Sequence, residues 1–89
     1  MPHLTVELAN RLGLHARAAA KFVHVTSRFE AQITVRFNDE EVNGKSILGL
    51  LLLAAPCGSA LTVVAEGPDA DRALVAVREL VQDRFGEGE

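Results

Sequence analysis

His15 stands two residues before Arg17 in the segment NRLGLHARAAAKF, which runs from Asn10 to Phe22. A neutral imidazole offers a nitrogen nucleophile near neutral pH. Gly13 punctuates a short loop, His15 ends it, and the alanine-rich run that follows starts a helix. The first N–H groups of a helix have no carbonyl partner within it and carry partial positive charge. An imidazole beside an arginine at such a place could both accept a phosphoryl group and neutralise it. A lone histidine near a helix start is more often a cap or a surface residue, so the surroundings matter. No Asp or Glu occurs from Asn10 to Arg28, whereas Arg11, Arg17, Lys21 and Arg28 are cationic. The whole chain carries a net charge of −3, so this stretch is a positive region on an acidic protein.

Other residues carry weaker signals. His24 lies on one helical stripe with Ala20 and Ser27, to one side of the apolar face, and is expected at the rim of the His15 site. Gly44-Lys45-Ser46 matches the end of a phosphate-binding P-loop, but the glycine required five residues before Gly44 is replaced by Asp39. Nucleotide binding is therefore rejected. Ser46 is the expected N-cap of a short apolar helix, a role worth about 1 kcal/mol. A phosphate on Ser46 would sit at the positive end of that helix without melting it, beside Ile47, Leu48 and Leu51. Those three either form an exposed patch suited to a partner or are buried in the core; the pattern alone does not choose. No His/Cys/Asp cluster has metal-ligand spacing, and no metal or cofactor is expected. A Ser/His/Asp triad cannot be read from sequence, because its members meet only in space.

The elements that must position these residues follow from periodicity. Leu4, Val6 and Leu8 alternate with Thr5 and Glu7, which predicts a strand with one buried face. Ala19, Phe22, Val23 and Thr26 recur at helical spacing, and this helix should end near Ser27–Arg28. Ile33, Val35 and Phe37 predict a second strand, Asn38-Asp39 a two-residue hairpin turn, and Glu41–Asn43 a short third strand. The apolar helix should span Ile47 to about Leu53, stopped by Pro56, Cys57 and Gly58. ALTVVAE, from Ala60 to Glu66, predicts a fourth strand. Gly67 and Pro68 break the chain, and Asp69 can cap a last helix. That helix carries Ala73, Leu74, Val77, Leu80 and Val81 on one face, and Gly86 ends it before a Gly-Glu tail. The order β-α-β-β-α-β-α gives an α+β fold: an open-faced two-layer sandwich with a four-stranded antiparallel sheet and helices on one face.

Composition sets the limits. Eighty-nine residues, 48% of them apolar, suffice for one domain over 1–89. Phe22, Phe29, Phe37 and Phe85 are the only aromatic anchors, since Trp and Tyr are absent. The single Cys57 cannot form an internal disulfide, which fits a reducing, cytoplasmic compartment. MPHLTVEL shows neither a basic leader nor a long apolar stretch, so no signal peptide is expected. The apolar run from Ile47 to Pro56 is too short to span a bilayer. Net negative charge with few aromatics argues against nucleic acid as a partner.

Taken together, NRLGLHARAAAKF, Phe37-Asn38, VNGKSILGL from Val42 to Leu50, and Ala65 to Gly67 closely resemble the histidine-containing phosphocarrier (HPr) family of the bacterial sugar phosphotransferase system. The resemblance runs from Leu4 to about Phe85. It implies a monomeric carrier with no turnover of its own. His15 would take a phosphoryl group on Nδ1 from phospho-enzyme I, with phosphoenolpyruvate as ultimate donor, and pass it to enzyme IIA domains for sugar uptake. Arg17 would stabilise the phosphate, with the backbone N–H groups of Ala16 and Arg17 cradling it. Ser46 matches the serine modified by a kinase/phosphorylase in some members. Ala20, His24, Ser27, Ile47, Leu48 and Leu51 would contribute to the partner interface. The family usually has proline where this chain has Ala18, which keeps helix propensity but loosens the helix start. Two alternatives accompany the carrier: a regulatory relative that signals through its phosphorylation state, and a small hydrolase similar to the acylphosphatases.

Overall fold

Alternating apolar residues build the sheet, and helical spacing builds the layer that covers it. The computed structural model describes residues 2–86; the expected tail beyond Gly86 lies outside them. The elements are β1 (His3–Glu7), α1 (Ala16–Thr26), β2 (Gln32–Phe37), β3 (Glu40–Asn43), α2 (Ile47–Leu52), β4 (Ala60–Glu66) and α3 (Ala70–Gln82), followed by a 3-10 turn at Arg84–Gly86. The four strands form one antiparallel sheet in the order β1-β4-β2-β3.

Register puts the buried side chains on one face. Val6 pairs with Leu61, Val35 with Val63 and Ile33 with Ala65, and all six are buried beneath the helices. Thr5, Arg36 and Thr62 occupy the other, open face, where Arg36 Nε meets Glu41 Oε2 at 2.5 Å. Phe22 of α1 and Phe85 beyond α3 are fully buried with Leu8 and Leu50; each such side chain contributes about 1.5–3 kcal/mol by leaving water. Phe29 and Phe37 pack only partly. Asn38 and Asp39 both adopt positive φ (50° and 67°), as a tight two-residue turn between twisted strands requires.

Several boundaries differ from expectation for identifiable reasons. Strand β1 stops at Glu7, although Leu8 stays tied to the sheet end through its N–H to the Ser59 carbonyl at 2.9 Å. Helix α2 ends at Leu52, where Ala54 turns left-handed (φ 52°), before Pro56 is reached. Helix α3 ends at Gln82 and not at Gly86. Arg84 and Phe85 take positive φ, which folds Phe85 back into the core, and Lys21 Nζ donates to its carbonyl at 2.5 Å. Asp69 precedes α3 but does not cap it with its side chain. Its carboxylate instead accepts the N–H groups of Glu30 and Ala31 at 2.9 and 2.8 Å, joining the start of α3 to the start of β2. Gly67, at φ +143°, permits this crossing, because a Cβ there would lie 2.8 Å from the Cα of Ala31.

Candidate functional site

His15 is the N-cap residue of α1, in extended conformation (φ −86°, ψ −179°), and its ring makes no capping hydrogen bond to the helix. The imidazole is half-buried, while Ala16 and Arg17 are exposed. The first helical bond runs from the Ala19 N–H to the His15 carbonyl at 2.8 Å. The N–H groups of Ala16, Arg17 and Ala18 therefore precede any intrahelical partner and open toward the end where His15 and Arg17 stand. Ala18, in the position the family usually fills with proline, is fully buried.

The loop is ordered by backbone bonds. The Leu14 N–H donates to the Ala55 carbonyl at 2.9 Å, and the His15 N–H to the Gly13 carbonyl at 3.0 Å. Gly13 has φ +66°, and a Cβ there would meet the Ala55 oxygen at 2.6 Å. Only glycine allows the His15 loop to lie this close to the segment after α2.

The cationic stretch is less concentrated than its sequence suggests. Lys21 turns to the Phe85 carbonyl, and Arg28 follows α1 at the end remote from His15. Arg11 and Arg17 remain at the His15 end. Ala20, His24 and Ser27 are exposed along one side of α1, as expected. His24, however, lies nine residues from His15, roughly 13 Å along the axis, so it is no immediate neighbour of that ring.

Ser46 caps α2: its Oγ accepts the Gly49 N–H at 3.0 Å. The segment before it is bound to the far end of α1, where Thr26 Oγ1 donates to the Gly44 carbonyl at 2.8 Å and Lys45 Nζ to that of Phe29 at 2.6 Å. Helix α2 thus begins near the C-terminus of α1, and the chain after it reaches Leu14 and Gly13 at the other end. The two helices run antiparallel, with the segment before Ser46 at the C-terminal end of α1 and His15 at its start. Between them Leu48 (68% exposed) and Ile47 (43%) face solvent, and Leu51 is half-buried. Leu52 (68%) and Leu12 (67%) are also exposed. An uninterrupted apolar run carries no periodic signal to tell Leu52 from the buried Leu50 and Leu53. Among the described residues no group of three or more His, Cys, Asp or Glu could hold a metal ion, and no helix is long and apolar enough to cross a membrane.

A family model described as the PTS HPr component phosphorylation site matches residues 3–83, spanning both His15 and Ser46. The chain belongs to the HPr family. It is 50% identical over 90 residues to the HPr phosphocarrier of Pseudomonas aeruginosa, with both chains fully covered. To that of Neisseria meningitidis serogroup A it is 45% identical over 85 residues, 96% of each. The crystal structure of HPr from Thermoanaerobacter tengcongensis matches the fold with a TM-score of 0.94 at 41% identity, covering 98% of each chain. HPr proteins are phosphocarriers of the phosphotransferase system, and phosphohistidine chemistry and sugar transport follow from membership. The open-faced α+β sandwich expected from the element order is the HPr architecture.

Proposed function

We propose that this chain carries phosphate on His15 Nδ1, taking it from phospho-enzyme I and handing it to enzyme IIA domains. The observation that supports this most directly is the placement of His15 as the N-cap residue of α1, where the N–H groups of Ala16, Arg17 and Ala18 precede the first intrahelical bond, from Ala19 to the His15 carbonyl. In the transfer, the Nδ1 lone pair forms the N–P bond while the donor takes back the electron pair of its own bond to phosphorus. The N–H groups of Ala16 and Arg17 and the Arg17 guanidinium stabilise the phosphoryl oxygens. The half-exposed setting suits a carrier, which needs comparable free energies with and without its cargo. The role is one of transfer between partners in the cytoplasm, by a monomeric single domain with no turnover of its own.

The apolar residues Ile47, Leu48 and Leu51, with Ala20, His24 and Ser27, form the docking side for these partners. Ser46 serves as a second phosphorylation position, for a kinase/phosphorylase. A phosphate there would add a dianion beside the exposed Leu48 while keeping favourable charge at the start of α2.

Intact-protein mass spectrometry after incubation with phosphoenolpyruvate, magnesium and enzyme I tests the carrier role. One acid-labile phosphate is expected, absent from His15→Ala. No adduct with an active cognate enzyme I would turn the function toward a regulatory or binding role. Repeated release of phosphate from acetyl phosphate would turn it toward hydrolysis.

A further inference from the structure

A residue outside the His–x–Arg pair holds the backbone of His15 in place. Asn10 is wholly buried, and its Nδ2 donates to the Gly13 carbonyl at 2.6 Å. The same carbonyl accepts the His15 N–H at 3.0 Å, and the Gly13 N–H returns to the Asn10 carbonyl at 3.1 Å. One oxygen therefore joins a buried amide to the backbone of the nucleophile. The next peptide is pinned as well, by the Leu14 N–H on the Ala55 carbonyl. Burying an amide is costly unless its hydrogen bonds are made, and an aliphatic side chain could have filled the same space. What an aliphatic chain could not do is fix the tilt of the Gly13–Leu14 peptide, and that tilt aims the chain into His15.

We propose that Asn10 is a positioning residue for phosphoryl transfer at His15: its side-chain N–H sets the Gly13 carbonyl, and through it the direction in which the imidazole meets the donor. This rests on His15 being the phosphoryl acceptor. Transfer demands reacting atoms about 3–3.5 Å apart and aligned, and a displacement near 1 Å can cost on the order of a hundredfold.

The test compares the parent with Asn10→Ala and Asn10→Asp as substrates of phospho-enzyme I, together with hydrogen exchange. Asp keeps the volume but, as a carboxylate, cannot donate to the carbonyl. Both variants should lose on the order of tenfold or more in kcat, with KM nearly unchanged. The His15 amide should exchange faster while those of Val63 and Val77 stay protected. Parental kcat in either folded variant, or a rise in KM alone, overturns the positioning role. If neither variant folds, the parent decides: an Asn10 side-chain amide exchanging as fast as a solvent-exposed one overturns the clamp, and a protected one supports it. A parent that takes no phosphate on His15 overturns the carrier reading instead, while the exchange data still judge the clamp separately.

Discussion

Helices α1 and α2 both begin on residues able to carry a phosphate, yet they begin in opposite ways. Ser46 spends its hydroxyl on the Gly49 N–H, so the start of α2 is closed by its own cap. The His15 ring makes no capping bond to α1, so the first N–H groups of that helix are not closed by the side chain at its head. The start of α3 is a third variation, since Asp69 turns its carboxylate to the N–H groups of Glu30 and Ala31. The lesson is that the capping position is a choice between internal satisfaction and external binding. A side chain that bonds its own helix start adds stability, and one that does not leaves those N–H groups to other partners. The loop leading into that end is tied down by the bonds that join Asn10, Gly13, Leu14 and Ala55.

Breaking the open end should have the largest effect. His15→Ala is expected to abolish phosphoryl acceptance while leaving the thermal unfolding midpoint close to parental, since the ring supports no cap. Residual acid-labile phosphate in that variant, seen by mass spectrometry, would contradict the assignment. Arg17→Ala should fold equally well and transfer on the order of a hundredfold more slowly, measured in rapid-quench experiments. Equal rates would mean that the helix end alone neutralises the phosphate.

Disturbing the support behind the open end comes next. Gly13→Ala forces a left-handed alanine against the Ala55 carbonyl and should lower stability by about 1–3 kcal/mol in urea unfolding, slowing transfer as well. Breaking the closed end should cost less and leave transfer untouched. Ser46→Ala is expected to lose about 1 kcal/mol of stability with a parental rate of His15 phosphorylation. A changed rate would show that the two helix starts are coupled along α1.

The smallest effect concerns the third cap. The Glu30 N–H chiefly, with the Ala31 N–H and Arg72 assisting and desolvation opposing, holds the Asp69 carboxyl below its ordinary value of 3.8. A lowered folded value means the carboxylate contributes stability above the ordinary value and loses it as pH falls through the lowered one. Asp69→Asn should flatten the acid side of the stability curve as pH falls through and below the ordinary value of 3.8, while leaving neutral-pH transfer unchanged. An unaltered acid limb would assign the acid sensitivity to other carboxylates.

Sequence alone determined the parts of this protein that local chemistry dictates. Alternation in Leu4–Leu8, Ile33–Phe37 and Ala60–Glu66 marked three strands, and Asn38-Asp39 marked the hairpin between β2 and β3, because period and turn chemistry are local properties. The His15–Arg17 spacing at a helix start and the Ser46 cap were legible for the same reason. Tertiary structure decided what depends on partners distant in the chain. Asp69 serves β2 and not its own helix because Gly67 brings it against Ala31, and α3 stops early because Phe85 is drawn back under α1. Within LLLLAAPC, only packing into the shared core separates buried Leu50 and Leu53 from exposed Leu52. Asn10, chemically silent in a linear reading, is wholly buried only in the folded chain, with its amide on the Gly13 carbonyl. Local pattern specifies which elements form; burial, an energy shared across the whole chain, specifies which side chains remain for function.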